Sequence, residues 1–181
     1  MTQTSLQDLN EVRAARLDDA GAFWSGKIAA DAANARLTYG ARGAGEGSVA
    51  TRITTGGHEF TVDEPAGLAG DNAAASPVEY ALGALASCQV VVYRLYAHQL
   101  GIRVDDITID AEGDLDVRGL FGADATVRPG FSAVRLRVVI TGPESQESYD
   151  ELRRTVDERC PVLDLFANPT PVEIEVAANP A

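Results

Sequence analysis

The stretch from Ser76 to Leu100 constrains this chain more than any other. Ser76-Pro77-Val78-Glu79 is a full helix start, with Ser as N-cap, Pro at the first helical position and Glu three residues after the cap. Gly101 supplies the stop. Between Tyr80 and Cys88 the helix is apolar or small on every face, and Arg94, His98 and Gln99 enter only toward its far end. Such a helix is predicted to be covered all round rather than along one stripe. Glu79, Cys88, Gln89 and Arg94 interrupt it before the roughly 18 uninterrupted apolar residues that a membrane span needs.

The flanking sequence has to supply that cover. Residues 1–33 read as a helical arm, with Leu6, Leu9, Val12 and Leu17 toward one side. Residues 34–181 read as the folded domain. Its first part alternates as short antiparallel strands: Ala35, Leu37 and Tyr39, then Val49, Thr51 and Ile53, then Phe60 and Val62, with glycine-bearing breaks at 43–47 and 56–57. A loop rich in small and polar residues, 63–75, leads to the central helix. Beyond it, Ile107, Ile109 and Ala111, and Val134, Leu136, Val138 and Ile140, form two half-buried strands. A second helix is predicted from about Gln146 to Cys160, where Pro161 ends it, and Val172, Ile174 and Val176 alternate as a last strand. The pattern is α+β. One sheet and one further helix cannot enclose the central helix, so a homodimer is the natural completion.

Charge narrows the partners. Against 27 Asp and Glu stand 15 Lys and Arg in 181 residues, a formal charge of −12 that repels nucleic-acid backbones and anionic membrane surfaces. The first thirteen residues lack the pattern of a secretory signal, so a bacterial-type cytoplasm is expected. A metal centre built on Cys88, Cys160, His58 and His98 is disfavoured, because Cys88 and His98 stand about 15 Å apart along one helix. There is no Gly-x-Ser-x-Gly elbow and no phosphate-cradling glycine loop, and Lys27 is the sole lysine. No cofactor is called for.

The two cysteines remain. In a reducing compartment, Cys88 and Cys160 are either buried small hydrophobes or a reactive pair. A thiol in the interior of a helix gains little from the helix dipole, so Cys88 would need a cation or a donor from a neighbouring element to ionise.

Asp63-Glu64-Pro65, Gly70-Asp71, the run from Ser76 to Cys88, Tyr96-Ala97 and the late Arg159-Cys160-Pro161-Val162 together resemble the OsmC/Ohr family. The resemblance runs from roughly Leu37 to the C-terminus and leaves the arm unexplained. It implies antiparallel sheets wrapped around two long central helices in an intertwined homodimer. It also implies reduction of organic hydroperoxides, with Cys88 peroxidatic, Cys160 resolving, and an external dithiol as reductant. The family places an arginine over the reactive sulfur, and Arg52 is the first candidate, Arg42 the second, with Arg128 and Arg36 behind them. A glutamate that directly follows the helix-opening proline holds that arginine in the peroxidase branch. Here Val78 stands at that place and Glu79 follows, about 100° further round the helix. Glu79 is thus either an arginine-holding or a capping residue. A second reading is a member of the same fold that binds a small apolar ligand without efficient peroxidase activity.

Overall fold

The computed structural model describes residues 6–178. Helix α1, Leu6–Ala30, forms the arm, and a 3₁₀ turn at Ala32–Ala35, capped by the Asp31 side chain, closes it. Leu9 and Val12 on its apolar side are about half exposed, so the arm lies over the domain without burying them.

The first sheet has the order β1 (Ala41–Glu46), β2 (Ala50–Thr55) and β3 (His58–Val62), all antiparallel. Its first strand lies at 41–46, not at 35–39 as the alternation suggested. Gly43 and Gly45, read as a break, belong to the ladder. A Cβ on Gly43 would meet the Thr51 methyl at 3.2 Å, which is why this strand carries a residue without one. Gly56 and Gly57, both at positive φ, make the tight β2–β3 turn that the sequence announces.

Helix α2 covers Pro77–Leu100, as predicted, with a complete capping box at its start and Gly101 in the left-handed conformation at its end. Strands β4 (Asp106–Asp114) and β5 (Ala133–Thr141) pair antiparallel as a second sheet, joined through the short helix α3, Val117–Leu120. Helix α4, Gln146–Arg159, follows, and then α5, Pro161–Ala167. The last was not foreseen as a helix: Pro161 ends α4 and also opens α5 at its first position.

The core lies where α2, α4 and the second sheet meet. Val92, Tyr93, Ala97, Val104, Leu152, Val156 and Cys160 are buried there, with Ile107, Ile109, Val138 and Ile140 packed against them. Burial of α2 all round is not achieved within one chain. Leu85, Gln89, Val92, Tyr93 and Ala97 face inward, whereas Gly83, Ala84, Ser87 and Val91 form an exposed stripe of small and apolar residues on the opposite side. The last strand is also absent among the described residues. Val172, Ile174 and Val176 carry no regular structure and are largely exposed, and the described residues place no neighbouring strand beside them for a ladder to form. No helix is long and apolar enough to cross a membrane among the described residues.

Candidate functional site

The site is made where three helices meet. Cys88 projects from the middle of α2, and Cys160 is at once the C-cap of α4 and the N-cap of α5. The fold brings the two thiols near enough for each to influence the other, although they lie far apart in the sequence. Cys160 is 2% exposed, while Cys88 is only partly covered, so Cys88 is the more accessible residue of the two.

Pro161 is responsible for this geometry. It forbids continuation of α4, holds Cys160 in an extended conformation (φ −80°, ψ 112°), and starts α5 with a residue that has no N–H of its own. The first free N–H, that of Val162, then lies near the Cys88 sulfur. Burial is the largest influence on Cys88 and pushes its thiol up. The Val162 N–H opposes this by favouring the thiolate, and the neighbouring Cys160 adds to the rise. Within one chain the balance is upward, toward a protonated thiol.

Glu79 is occupied with capping. Its Oε2 accepts from the Ser76 backbone N–H at 2.7 Å and from the Ser76 hydroxyl at 2.7 Å, and these bonds hold its carboxyl below the ordinary glutamate range. It sits nine residues before Cys88, about 13 Å along the axis, and pairs with no arginine among the described residues. Val78 beside it is 40% exposed. Arg52 lies on β2, half exposed, paired with Glu46 and Glu59. The structure therefore does not bring Arg52 to Cys88 within one chain. Arg42, Arg36 and Arg128 are likewise exposed, on β1, after the 3₁₀ turn and in the β4–β5 connection. His58 is exposed at the start of β3, and His98 bonds Asp18 of the arm at 2.7 Å. Among the described residues no group of three His, Cys, Asp or Glu side chains could hold a metal ion.

The loop before α2 is built on a residue whose role the sequence did not announce. Asp63, 2% exposed, accepts from the backbone N–H groups of Asp71 and Ala73, each at 3.0 Å, and its carboxyl is held low chiefly by the Ala73 bond. Gly70 passes so close to the Glu64 carbonyl that a Cβ would stand 1.8 Å from the oxygen. Together these fold 63–75 back on itself and deliver Ser76 to its capping position. The other missed features are α5 and Gln89, a buried neighbour of Cys88 whose Nε2 has no partner among the described residues. Proline at a first helical position was the available signal for α5.

The family model described as OsmC-like protein matches residues 70–175, more than half of the chain. The fold is similar to that of an OsmC-like protein from Mycoplasma pneumoniae, with a TM-score of 0.63 and 18% identity over 72% of this chain and 87% of that one. It is also similar to an organic hydroperoxide resistance protein from Legionella pneumophila, with a TM-score of 0.58 and 23% identity over 72% and 90% of the two chains. A third similar structure is an organic hydroperoxide resistance protein from Elizabethkingia anophelis, with a TM-score of 0.58 and 21% identity over 73% and 89%. No curated protein sequence matches the chain.

Proposed function

The chain belongs to the OsmC-like protein family, and on that premise we propose that it reduces organic hydroperoxides with Cys88 and Cys160, as a cytoplasmic homodimer. The observation that carries this reading is the proximity of two free thiols, one part-exposed and one buried, at the start of α5. The Cys88 thiolate attacks the terminal peroxide oxygen. The O–O bond breaks, the alkoxide takes a proton and leaves as the alcohol, and Cys88 becomes a sulfenic acid. The Cys160 sulfur then displaces hydroxide, released as water, and forms the disulfide. An external dithiol returns both residues to thiols by exchange and is itself oxidised.

Because burial within one chain favours the protonated thiol, the reaction needs a cation that this chain does not place beside Cys88. A second copy supplies it in this reading, with Arg52 the first candidate, since its β2 position leaves it half exposed on a sheet with little cover. The same second copy covers the Gly83–Val91 stripe of α2. Residues 1–33 are the arm and 34–181 the catalytic domain. The measurement is intact mass and thiol alkylation after equimolar cumene hydroperoxide. Loss of two hydrogens and of both alkylatable thiols is expected, with Cys88→Ser inert and Cys160→Ser trapped as a sulfenic acid. Two thiols that remain free overturn the reading.

Val78 supports a second reading, in which the fold binds a small apolar ligand without efficient turnover, because Glu79 is engaged in its cap and no glutamate follows Pro77. A peroxide-inert protein that carries a co-purified apolar ligand would select it.

A further inference from the structure

Where α1 crosses the C-terminal end of α2 there is a cleft of about 620 Å³, within the size range of small-molecule sites. One wall comes from the arm, outside the residues that match the family, and the other from the last turns of α2 and the segment 101–104 that follows. Two guanidinium groups converge there. Arg94 Nη1 donates to the Val104 carbonyl at 2.7 Å and Arg13 Nη1 to the same oxygen at 3.4 Å. Two like charges thus share one neutral acceptor.

Among the described residues neither guanidinium hydrogen-bonds a carboxylate. Arg94 has Asp106 at 3.9 Å, and that carboxylate is largely in solvent. Arg13 has the neutral Asn10 Oδ1 at 2.8 Å. Asp105, the other acid nearby, accepts from Arg103 Nε at 2.8 Å and from Asn10 Nδ2 at 3.1 Å, and it acts on Arg13 and Arg94 only through space. Glu11 borders the cleft from the arm. Arg94 is only 18% exposed, and its burial, with the like charge of Arg13 second, pushes its pKa below the ordinary arginine value. Ala14 and Leu17 from the arm and Ala97 and Ile102 from the domain give the cleft an apolar side, and His98 and Arg103 border it as well.

We propose that this cleft binds an amphiphilic carboxylate, its head between Arg13 and Arg94 and its apolar tail along Ala14, Leu17, Ala97 and Ile102. A carboxylate oxygen on each guanidinium supplies the counter-charge that the Val104 carbonyl cannot, through charge-assisted hydrogen bonds in a partly desolvated setting. A single anionic head suffices, because Asp105 and Asp106 already temper the field at the rim.

The site is independent of the thiol chemistry, and its test does not read turnover. Titration calorimetry of the full chain with decanoate is expected to give one site per chain, with decanol and acetate each at least tenfold weaker. Arg13→Gln is expected to lower decanoate affinity at least tenfold. Leu17→Asp, which places a carboxylate in the apolar half and leaves both arginines in place, is expected to do the same and carries the test if Arg13→Gln loosens the arm. No decanoate binding, equal binding of decanol, or affinity unchanged in both variants overturns the proposal.

Discussion

The two sheets of this molecule are built to different standards of self-sufficiency. In β4 and β5 every second residue is half-buried, and Ile107, Ile109, Val138 and Ile140 rest on a core that α2 and α4 complete. In β1–β3 only Val62 is buried. The sheet is tied to α2 mainly at the first turn of that helix, where the Tyr80 ring packs tilted against Phe60 at 5.0 Å and its hydroxyl donates to the Thr61 carbonyl at 2.9 Å. One chain thus finishes half of its own packing. Two surfaces are left uncovered, the first sheet and the exposed stripe of α2.

If a second copy covers them, the largest effects follow from breaking that cover. Sedimentation is expected to give twice the 19.1 kDa chain mass, and Val91→Asp, at a position 64% exposed in one chain, is expected to abolish the pair at micromolar concentration, since a charge would be buried without a partner. The released chain should also need higher pH for alkylation of Cys88, because burial raises its thiol and the second copy no longer supplies a cation. Arg52→Gln should raise that pH without releasing the pair. A wild-type chain that sediments as a monomer breaks the comparison at its root.

Next come core truncations, one for each half. Leu152→Ala, at a fully buried position on α4, is expected to cost about 2–5 kcal/mol in a urea melt, whatever the protein concentration. Ile53→Ala, on the half-covered β2, is expected to cost less in dilute protein and progressively more as concentration rises, because its packing is completed only on association. Equal, concentration-independent costs would mean that both halves are finished within one chain.

What the sequence made legible divides along the same line. The central helix could be placed with both ends because its signals are local: Ser76 and Glu79 bond one another, and Gly101 adopts the conformation its type favours. Strands β4 and β5 were legible because their alternation matches a real two-faced environment within the chain. The first strand was misplaced because β1 carries almost no buried side chain, so its glycine-rich sequence has no apolar period to show. The alternation of Val172, Ile174 and Val176 is genuine, but it finds no neighbouring strand among the described residues. At the site, the thiol pair was legible as residue types. Its contact depends on Pro161 acting twice, as stop and as start, and on long-range packing of α2 against α4 and α5 that no local pattern encodes.

The loop between the halves titrates in a defined direction. The Asp63 carboxyl lies below its ordinary value in the folded protein, first because the Ala73 N–H bonds it, then through Glu64 and Asp71. A depressed folded value gives stability that is present above the unfolded value, about 3.9, and lost as pH falls through the folded one. Amide exchange over 63–75 is therefore expected to accelerate, relative to the intrinsic rate, between pH 5 and pH 3, ahead of exchange in α4. Asp63→Asn should show the faster exchange already at pH 7. A loop that loosens only together with α4 would deny it a separate hinge between the halves.

The smallest effect tests whether the finished half is truly finished. Gln89 is 1% exposed on the inner face of α2, and its Nε2 has no acceptor among the described residues. A buried unpaired donor costs about 1–3 kcal/mol, and an apolar replacement removes that cost. Because Gln89 lies on the side of α2 opposite to the exposed stripe, a second copy docked on that stripe does not reach its amide. Gln89→Leu is accordingly expected to raise stability by about 1 kcal/mol in a urea melt, at every protein concentration, with the Cys88–Cys160 disulfide still forming. A loss of stability would mean that the amide is already bonded, and a loss confined to high concentration would place its acceptor on the second copy and move the boundary between the two halves inward by one helix face.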